Sequence, residues 1–422
     1  MGNLTIGEGR TTRGVGLTSE EATLLNAAGK QLVADPWWNA DDGDERRSIW
    51  CEEEKNGWAV HAGNVVGAVG LGDRSLLISP KVSVQTLLYL GQRSGVFPRM
   101  GSQQASLSSG ENFADLVASW LVFSTKRLLN SGLHRAYEAT EQDAETLLGS
   151  VVPLPTALNF YSGKLQFHCV ADEFTLDNPL NRILLEALTR VMHMAGVRAS
   201  LRHEVRGLIS AFAGVGSLQQ NDIEYQLDRN QQRYATTLTL ALQVISRTGR
   251  NLKTGSHSLV TFLLPTPSLV ENGIMAALKE HLPKELFPWK REKKISPSFG
   301  IDPDLRFGDP VRAVGDVKYR LYTNKWKRTE VFQLTTYAAG FSVKRALLIG
   351  FSTKGGSIQD LHMGNHILRT HLWNASDGAD PEYELELLIE QIKLFMGGQS
   401  PTFENTRLPG NRNQTDLSSI SS

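Results

Sequence analysis

Apolar side chains recur along this chain with two periods, and the change from one to the other divides it into regions. From Phe113 through Leu129 they return every three or four residues, the mark of a helix with one buried face. The same spacing predicts helices over Pro179–Gly196, Tyr234–Arg247, Leu269–Leu282, Gln333–Phe341 and Glu382–Met396. Pro179 near the start of its segment and Gly196 near its end follow the asymmetry that helices prefer. Thr18-Ser19-Glu20-Glu21 opens another helix, running to about Leu32, because a hydroxyl caps the first amides and Glu suits the positive end. Val84–Leu90 begins one more. Short apolar runs at Ser48–Cys51, Trp58–His61 and Leu76–Ser79 read as strands, with Asn56-Gly57 and Gly72-Asp73 as turns between them. Leu259–Leu264, Ala313–Tyr319 and Arg345–Phe351 are strand-like as well.

This pattern predicts a mixed α/β protein. A small β-rich N-terminal domain covers residues 1–105, a mainly helical middle region 106–255, and an α/β core 256–398, where strand, helix and strand alternate. Ser102–Ser109 reads as a linker, and the polar tail 399–422 is expected to be disordered. Gly63, Gly67, Gly70 and Gly72 punctuate the N-terminal region, but no Gly-Lys-Ser/Thr follows, so they do not make a phosphate-binding loop. Trp37 and Trp38 read as core packing, with a contact surface as the alternative.

Composition narrows the function classes. A chain of 422 residues with 41% hydrophobic and 21% charged residues has the balance of an ordinary soluble protein. No apolar run approaches the ~20 residues that span a bilayer, and the first residues lack a secretory apolar stretch, so a cytoplasmic location is expected. Cys51 and Cys169, distant and alone, read as free thiols, and His134, His168 and His203 as structural. A formal net charge of zero argues against indiscriminate coating of nucleic acid. Charge is uneven, however: Lys284 to Arg328 holds twelve Lys/Arg against six Asp/Glu.

Within that basic stretch lies the text that carries chemistry. Ile301-Asp302-Pro303-Asp304-Leu305 is followed, eleven residues after Leu305, by Asp316-Val317-Lys318-Tyr319. Phosphodiester hydrolysis uses a divalent cation to offset negative charge and activate water, and Mg²⁺ or Mn²⁺ takes hard oxygen ligands. Asp304 and Asp316, brought together from adjacent strands, supply such ligands. Lys318 lies two residues past Asp316 and so shares its strand face, where an ammonium stabilises charge developing on phosphate or orients the attacking water. Gln333 and Tyr337, four apart on the next helix, face one site. Glu271, near the start of the preceding helix, is the candidate third acid and metal ligand. The order of acid helix, Pro-Asp, Asp-x-Lys strand and Gln-x-x-x-Tyr helix is that of a PD-(D/E)xK nuclease core.

Further blocks join this one. Leu76-Leu77-Ile78-Ser79-Pro80-Lys81-Val82, Gly132-Leu133 with Tyr137, Leu147-Leu148-Gly149, and Cys169 through Leu184 stand in order before Gly315-Asp316-Val317-Lys318-Tyr319-Arg320 and Phe332 through Ala338. On these blocks the chain, over roughly residues 60–395, resembles the McrC family, the nuclease subunit of McrBC-type modification-dependent restriction systems. It departs at Ser150, where the family usually has Arg, and at Val270, where Phe often precedes the acid. The resemblance implies a DNA endonuclease subunit that acts on double-stranded, methylated DNA. It also implies docking, through residues 1–105, on a separate hexameric McrB-like AAA+ GTPase whose hydrolysis the subunit stimulates. No Walker A loop occurs here, in keeping with a motor on another polypeptide. The alternatives are an adaptor and GTPase activator with a vestigial site, and a stand-alone nuclease for RNA or branched DNA.

Overall fold

The computed structural model describes residues 3–33, 48–98, 112–248, 260–286, 288–289, 293–296, 299–323 and 325–397. Trp37, Trp38, the Ser102–Ser109 linker and the tail lie outside them. The N-terminal part contains β1 (Leu4–Gly7), β2 (Thr11–Val15), α1 (Ser19–Val33), β3 (Ile49–Glu54), β4 (Gly57–Ala62), β5 (Val65–Gly70), β6 (Ser75–Ser79) and α2 (Val84–Arg93). The middle part contains α3 (Phe113–Asn130), β7 (Ala136–Ala144), β8 (Ser150–Val151), α4 (Pro153–Tyr161), β9 (Phe167–Thr175), α5 (Pro179–His193), α6 (Ala199–Ile209) and α7 (Ala235–Arg247). There follow β10 (Phe262–Pro265), α8 (Pro267–His281), β11 (Pro288–Trp289), β12 (Lys293–Ser296), β13 (Phe299–Ile301), β14 (Leu305–Phe307) and β15 (Ala313–Leu321). The last elements are α9 (Arg328–Gly340), β16 (Arg345–Ser352), β17 (Leu361–Met363), β18 (His366–Asn374) and α10 (Pro381–Gly397). The mixed α/β class read from the sequence is observed.

The N-terminal strands form two sheets, β2-β4-β3 and β1-β6-β5-β10. Ile49, Cys51 and Val60 from one sheet and Ile6, Val69 and Ile78 from the other enclose a core that Ala22 and Leu25 of α1 complete. The second sheet draws its last strand from far along the chain. β10 pairs antiparallel with β5, setting Leu263 opposite Gly67. Gly67 has φ +135°, and a Cβ there would stand 2.1 Å from the Phe262 carbonyl oxygen, so only glycine allows the two backbones this approach. The segment Val65–Gly70, which in sequence reads as glycine punctuation, is buried throughout because sheet packing covers both of its faces.

The middle helices α3, α5, α6 and α7 pack together in the largest core, with Trp120, Leu184, Val205 and Leu240 all buried. The region is not helical throughout. β7, β9 and β8 build a sheet of their own, with Ala136 opposite Thr175 and Ala144 opposite Phe167. The text Ala-Tyr-Glu-Ala-Thr-Glu-Gln-Asp-Ala has too few apolar residues to announce a strand, and none of the sheet's described side chains enters the three cores.

The C-terminal sheet has six strands in the order β11-β14-β15-β16-β18-β17. β15, β16 and β18 run parallel, while β14 is antiparallel to β15. Helices cover both faces. Val317, Tyr319 and Phe351 share the large core with Ile274 of α8 and Leu388 of α10. Val314, Ala346 and Leu348 pack against Leu334 and Ala338 of α9 on the other side. Alternation along β15 therefore sends Val314, Asp316 and Lys318 toward α9, and Val317 and Tyr319 toward α8.

Gly67→Ala is expected to destabilise the protein by roughly 3 kcal/mol or more, since both the strand pairing and an unfavourable φ oppose it. Urea unfolding followed by circular dichroism measures this, and an unchanged midpoint would contradict the close approach of β5 and β10.

Candidate active site

The β14–β15 hairpin sets the site. Leu305 pairs with Gly315, so Asp304 immediately before β14 stands beside Asp316 and Val317. The Asp304 Oδ2 accepts a hydrogen bond from the Val317 amide at 2.8 Å, which fixes the carboxylate at the strand edge. Asp316 is 2% exposed, and Asp304 lies within hydrogen-bonding reach of it. The Lys318 Nζ stands 3.2 Å from Asp316 Oδ2. This contact pairs the Lys318 ammonium with a buried carboxylate. Burial, joined by the charge of Asp304, pushes the Asp316 carboxyl up to about 7, while the Lys318 ammonium pulls the other way.

Helix α9 closes the same face. Gln333 Nε2 donates to Tyr337 Oη at 2.9 Å, as the four-residue spacing predicts. The Tyr337 phenol is raised by burial, and the nearby Asp316 and Asp304 charges add to the rise. Glu330, buried at the start of α9, accepts from Tyr322 Oη at 2.6 Å and from Arg320 at 3.2 Å, which holds the helix against β15. Nothing in the sequence separates Glu330 from an ordinary solvated carboxylate in a first helical turn.

Glu271 is placed differently. It is half-buried in the first turn of α8, the helix that packs on the Val317 and Tyr319 side of β15. Among the described residues, no group of three or more His, Cys, Asp and Glu side chains is positioned to hold a metal ion. The structure thus brings Asp304, Asp316, Lys318, Gln333 and Tyr337 to one face and does not gather Glu271 into a carboxylate cluster with them. The remaining pair still fits a hard cation. Mg²⁺ keeps several waters and is commonly bound by one or two carboxylates together with substrate phosphate. A buried Asp316 carboxylate beside a second carboxylate is the donor set such an ion uses.

A family model described as "McrBC 5-methylcytosine restriction system component" matches residues 60–349, more than half of the chain. The chain belongs to this family. Among solved structures it is similar to a chain of the half-complex from a tetradecameric assembly of Thermococcus gammatolerans McrB AAA+ hexamers with bound McrC. The TM-score is 0.68 at 16% identity, over 92% of this chain and all of that one. A chain of the Thermococcus gammatolerans McrBC complex, solved by cryo-electron microscopy, gives a TM-score of 0.47 at 16% identity over 65% of this chain and 87% of that one. No curated protein matches by sequence. No helix among the described residues is long and apolar enough to cross a membrane.

An acid whose carboxyl is raised by its surroundings penalises the ionised form, so the metal-free fold loses stability as pH climbs from the ordinary carboxyl range through about 7. Asp316→Asn removes that loss. In the presence of chelator, its melting temperature is expected to exceed that of the unaltered chain by a margin that grows from about pH 5 to about pH 8. A constant or shrinking margin would contradict the assigned environment.

Proposed function

We propose that this chain is the metal-dependent DNA endonuclease subunit of a McrBC-type restriction complex, working with a hexameric AAA+ GTPase. The observation that carries the reading is the convergence of Asp304, Asp316 and Lys318 at one strand edge, in a chain that belongs to the McrBC family. Asp304 and Asp316 are the groups that would hold the ion. Bound between them and a phosphate, Mg²⁺ or Mn²⁺ would offset negative charge and lower the pKa of a water. Lys318 projects from the same face as Asp316, so its ammonium serves the phosphate oxygens or orients the attacking water. Gln333 and Tyr337 border that space with a mutually bonded amide and phenol, polar groups that line up a water or a phosphate oxygen. Glu271 is retained only as a residue of the helix behind the strand.

The partner surface is best sought on the sheet β7-β9-β8 and α4 rather than in residues 1–105 as expected from the sequence. Leu154 is 72% exposed, Tyr161 91%, Leu165 77% and Tyr137 72%, and Leu147, Leu158 and Phe174 are exposed beside them. Among the described residues, no large apolar side chain before Tyr137 is similarly open. A concentration of open apolar side chains marks an interaction site. The similar solved chain belongs to an assembly of McrB AAA+ hexamers with bound McrC, and a ring of that kind is the occupant this surface is proposed to take.

Asp304→Ala and Lys318→Ala are each expected to lower Mg²⁺-dependent DNA cleavage by about a hundredfold or more while the protein remains folded. Cleavage that survives both changes would rule out the site. Stimulation of the partner's GTPase by either variant is expected to match the unaltered chain, and its loss would mean that the two activities share residues. The double change Leu154→Asp with Tyr161→Asp is expected to weaken partner binding tenfold or more, on the order of a lost apolar hot spot, in calorimetric titration. Unaltered affinity would return the docking role to the N-terminal sheets.

A further inference from the structure

A cleft lies beside the proposed catalytic edge. β14 meets β15 only as far as Gly315, and the β15 edge beyond it faces the turn after β1 and the β2-β4-β3 sheet across a space of about 460 Å³. Arg10, Lys81, Lys318 and Arg320 line this space, and among the described residues no Asp or Glu side chain does. The carboxylates that balance two of these cations stand behind the wall: Glu330 beneath Arg320, and Glu8, which is 1% exposed, beneath Lys81. The opposite wall is aromatic. Trp50 and His61, paired across β3 and β4, stack with ring centroids 4.8 Å apart and planes 6° from parallel. The His61 Nδ1 is engaged with Thr11 Oγ1 at 2.9 Å, while its buried Nε2 has no hydrogen-bond partner.

The floor is rigid. Lys81 Nζ donates to Asn64 Oδ1 at 2.7 Å and lies 4.0 Å from the centre of the Tyr319 ring. The Tyr319 hydroxyl donates to Glu8 at 2.8 Å, and Thr266 also donates to that carboxylate. Burial lowers the Lys81 ammonium to about 8, and Glu8 and Arg320 act on it in opposite directions. A preformed, rigid site loses little entropy when it takes a ligand.

From this arrangement we infer that the cleft holds one nucleotide of an unpaired DNA strand next to the scissile phosphate, its phosphate on Arg10 and Arg320 and its base against the Trp50–His61 stack. Cations that track a backbone beside an aromatic platform are the composition of single-strand sites, where stacking serves every base. The space is of the size that takes a small ligand, ~300–1,000 Å³. Lys318 belongs to both the cleft wall and the catalytic edge, its Nζ 3.2 Å from Asp316 Oδ2, so a strand seated in the cleft meets a cation of that edge. The assignment rests on the nuclease reading for the identity of its ligand as DNA.

Binding is read separately from cleavage. Anisotropy of a short fluorescein-labelled single-stranded oligonucleotide is followed with the full chain in EDTA, so a failed cleavage assay leaves the result standing. Arg10 is exposed, and Arg10→Glu is expected to keep the melting temperature and weaken binding about tenfold at low salt. Trp50→Ala is expected to weaken it about fivefold or more, with Trp50→Phe close to the unaltered chain. Affinities of Arg10→Glu and Trp50→Ala both within about twofold of the original would overturn the cleft assignment. A free deoxynucleoside monophosphate that displaces the oligonucleotide at equal concentration would overturn the strand and leave a mononucleotide site.

Discussion

Two carboxylates that repel each other are held together at the edge of β15, and the arrangement of the C-terminal half follows from that constraint. Asp316 is buried because its strand is covered on both faces, and a buried carboxylate beside a second one disfavours the charged form. The fold tolerates the repulsion through two compensations that are local and directional. The Val317 amide fixes Asp304, and the Lys318 ammonium faces Asp316. Each needs the register in which Leu305 stands opposite Gly315, since a slip of one residue would send Asp316 and Lys318 to the α8 side. A cation between the carboxylates would relieve the repulsion directly, which ties this buried pair to the metal dependence proposed for the chain.

The N-terminal sheets are coupled to this edge rather than appended to it. β10 leaves the sheet it shares with β5 and leads straight into α8, which packs on the reverse of β15. Glu8, at the end of β1, binds Thr266 at the start of that helix and Tyr319 on β15 itself. Burial raises the Glu8 carboxyl, and the hydrogen bonds and the Lys81 charge offset that cost only in part. The network ties the end of β1 to α8 and to β15 beside the cleft. The proposed docking surface on β7-β9-β8 lies apart from this network, and none of that sheet's described side chains joins the three cores.

Much of the site was legible because strand periodicity is short-range. Asp316 and Lys318 share a face by alternation alone, and Gln333 and Tyr337 meet by helical spacing. Local pattern is silent on contacts made across the chain. Glu8 and Tyr319 are 311 positions apart, and no local pattern joins them. Glu271 illustrates the same gap from the other direction: its place in the order of elements was right for an acid near the site, but order does not say on which face of the sheet a helix packs. Val65–Gly70 does not read as a strand because Gly67 serves a close backbone approach rather than a turn. β7 and β9 were missed because their pairing holds without an apolar face in a core.

The central claim concerns a cation between Asp304 and Asp316, and its most direct test is calorimetric titration of Mn²⁺ into the unaltered chain and into Asp316→Asn, without DNA. The account predicts saturable binding in the first and at least a tenfold loss of affinity in the second, on the order of a missing charged ligand. Equal affinity in the two proteins would place the ion elsewhere and contradict it.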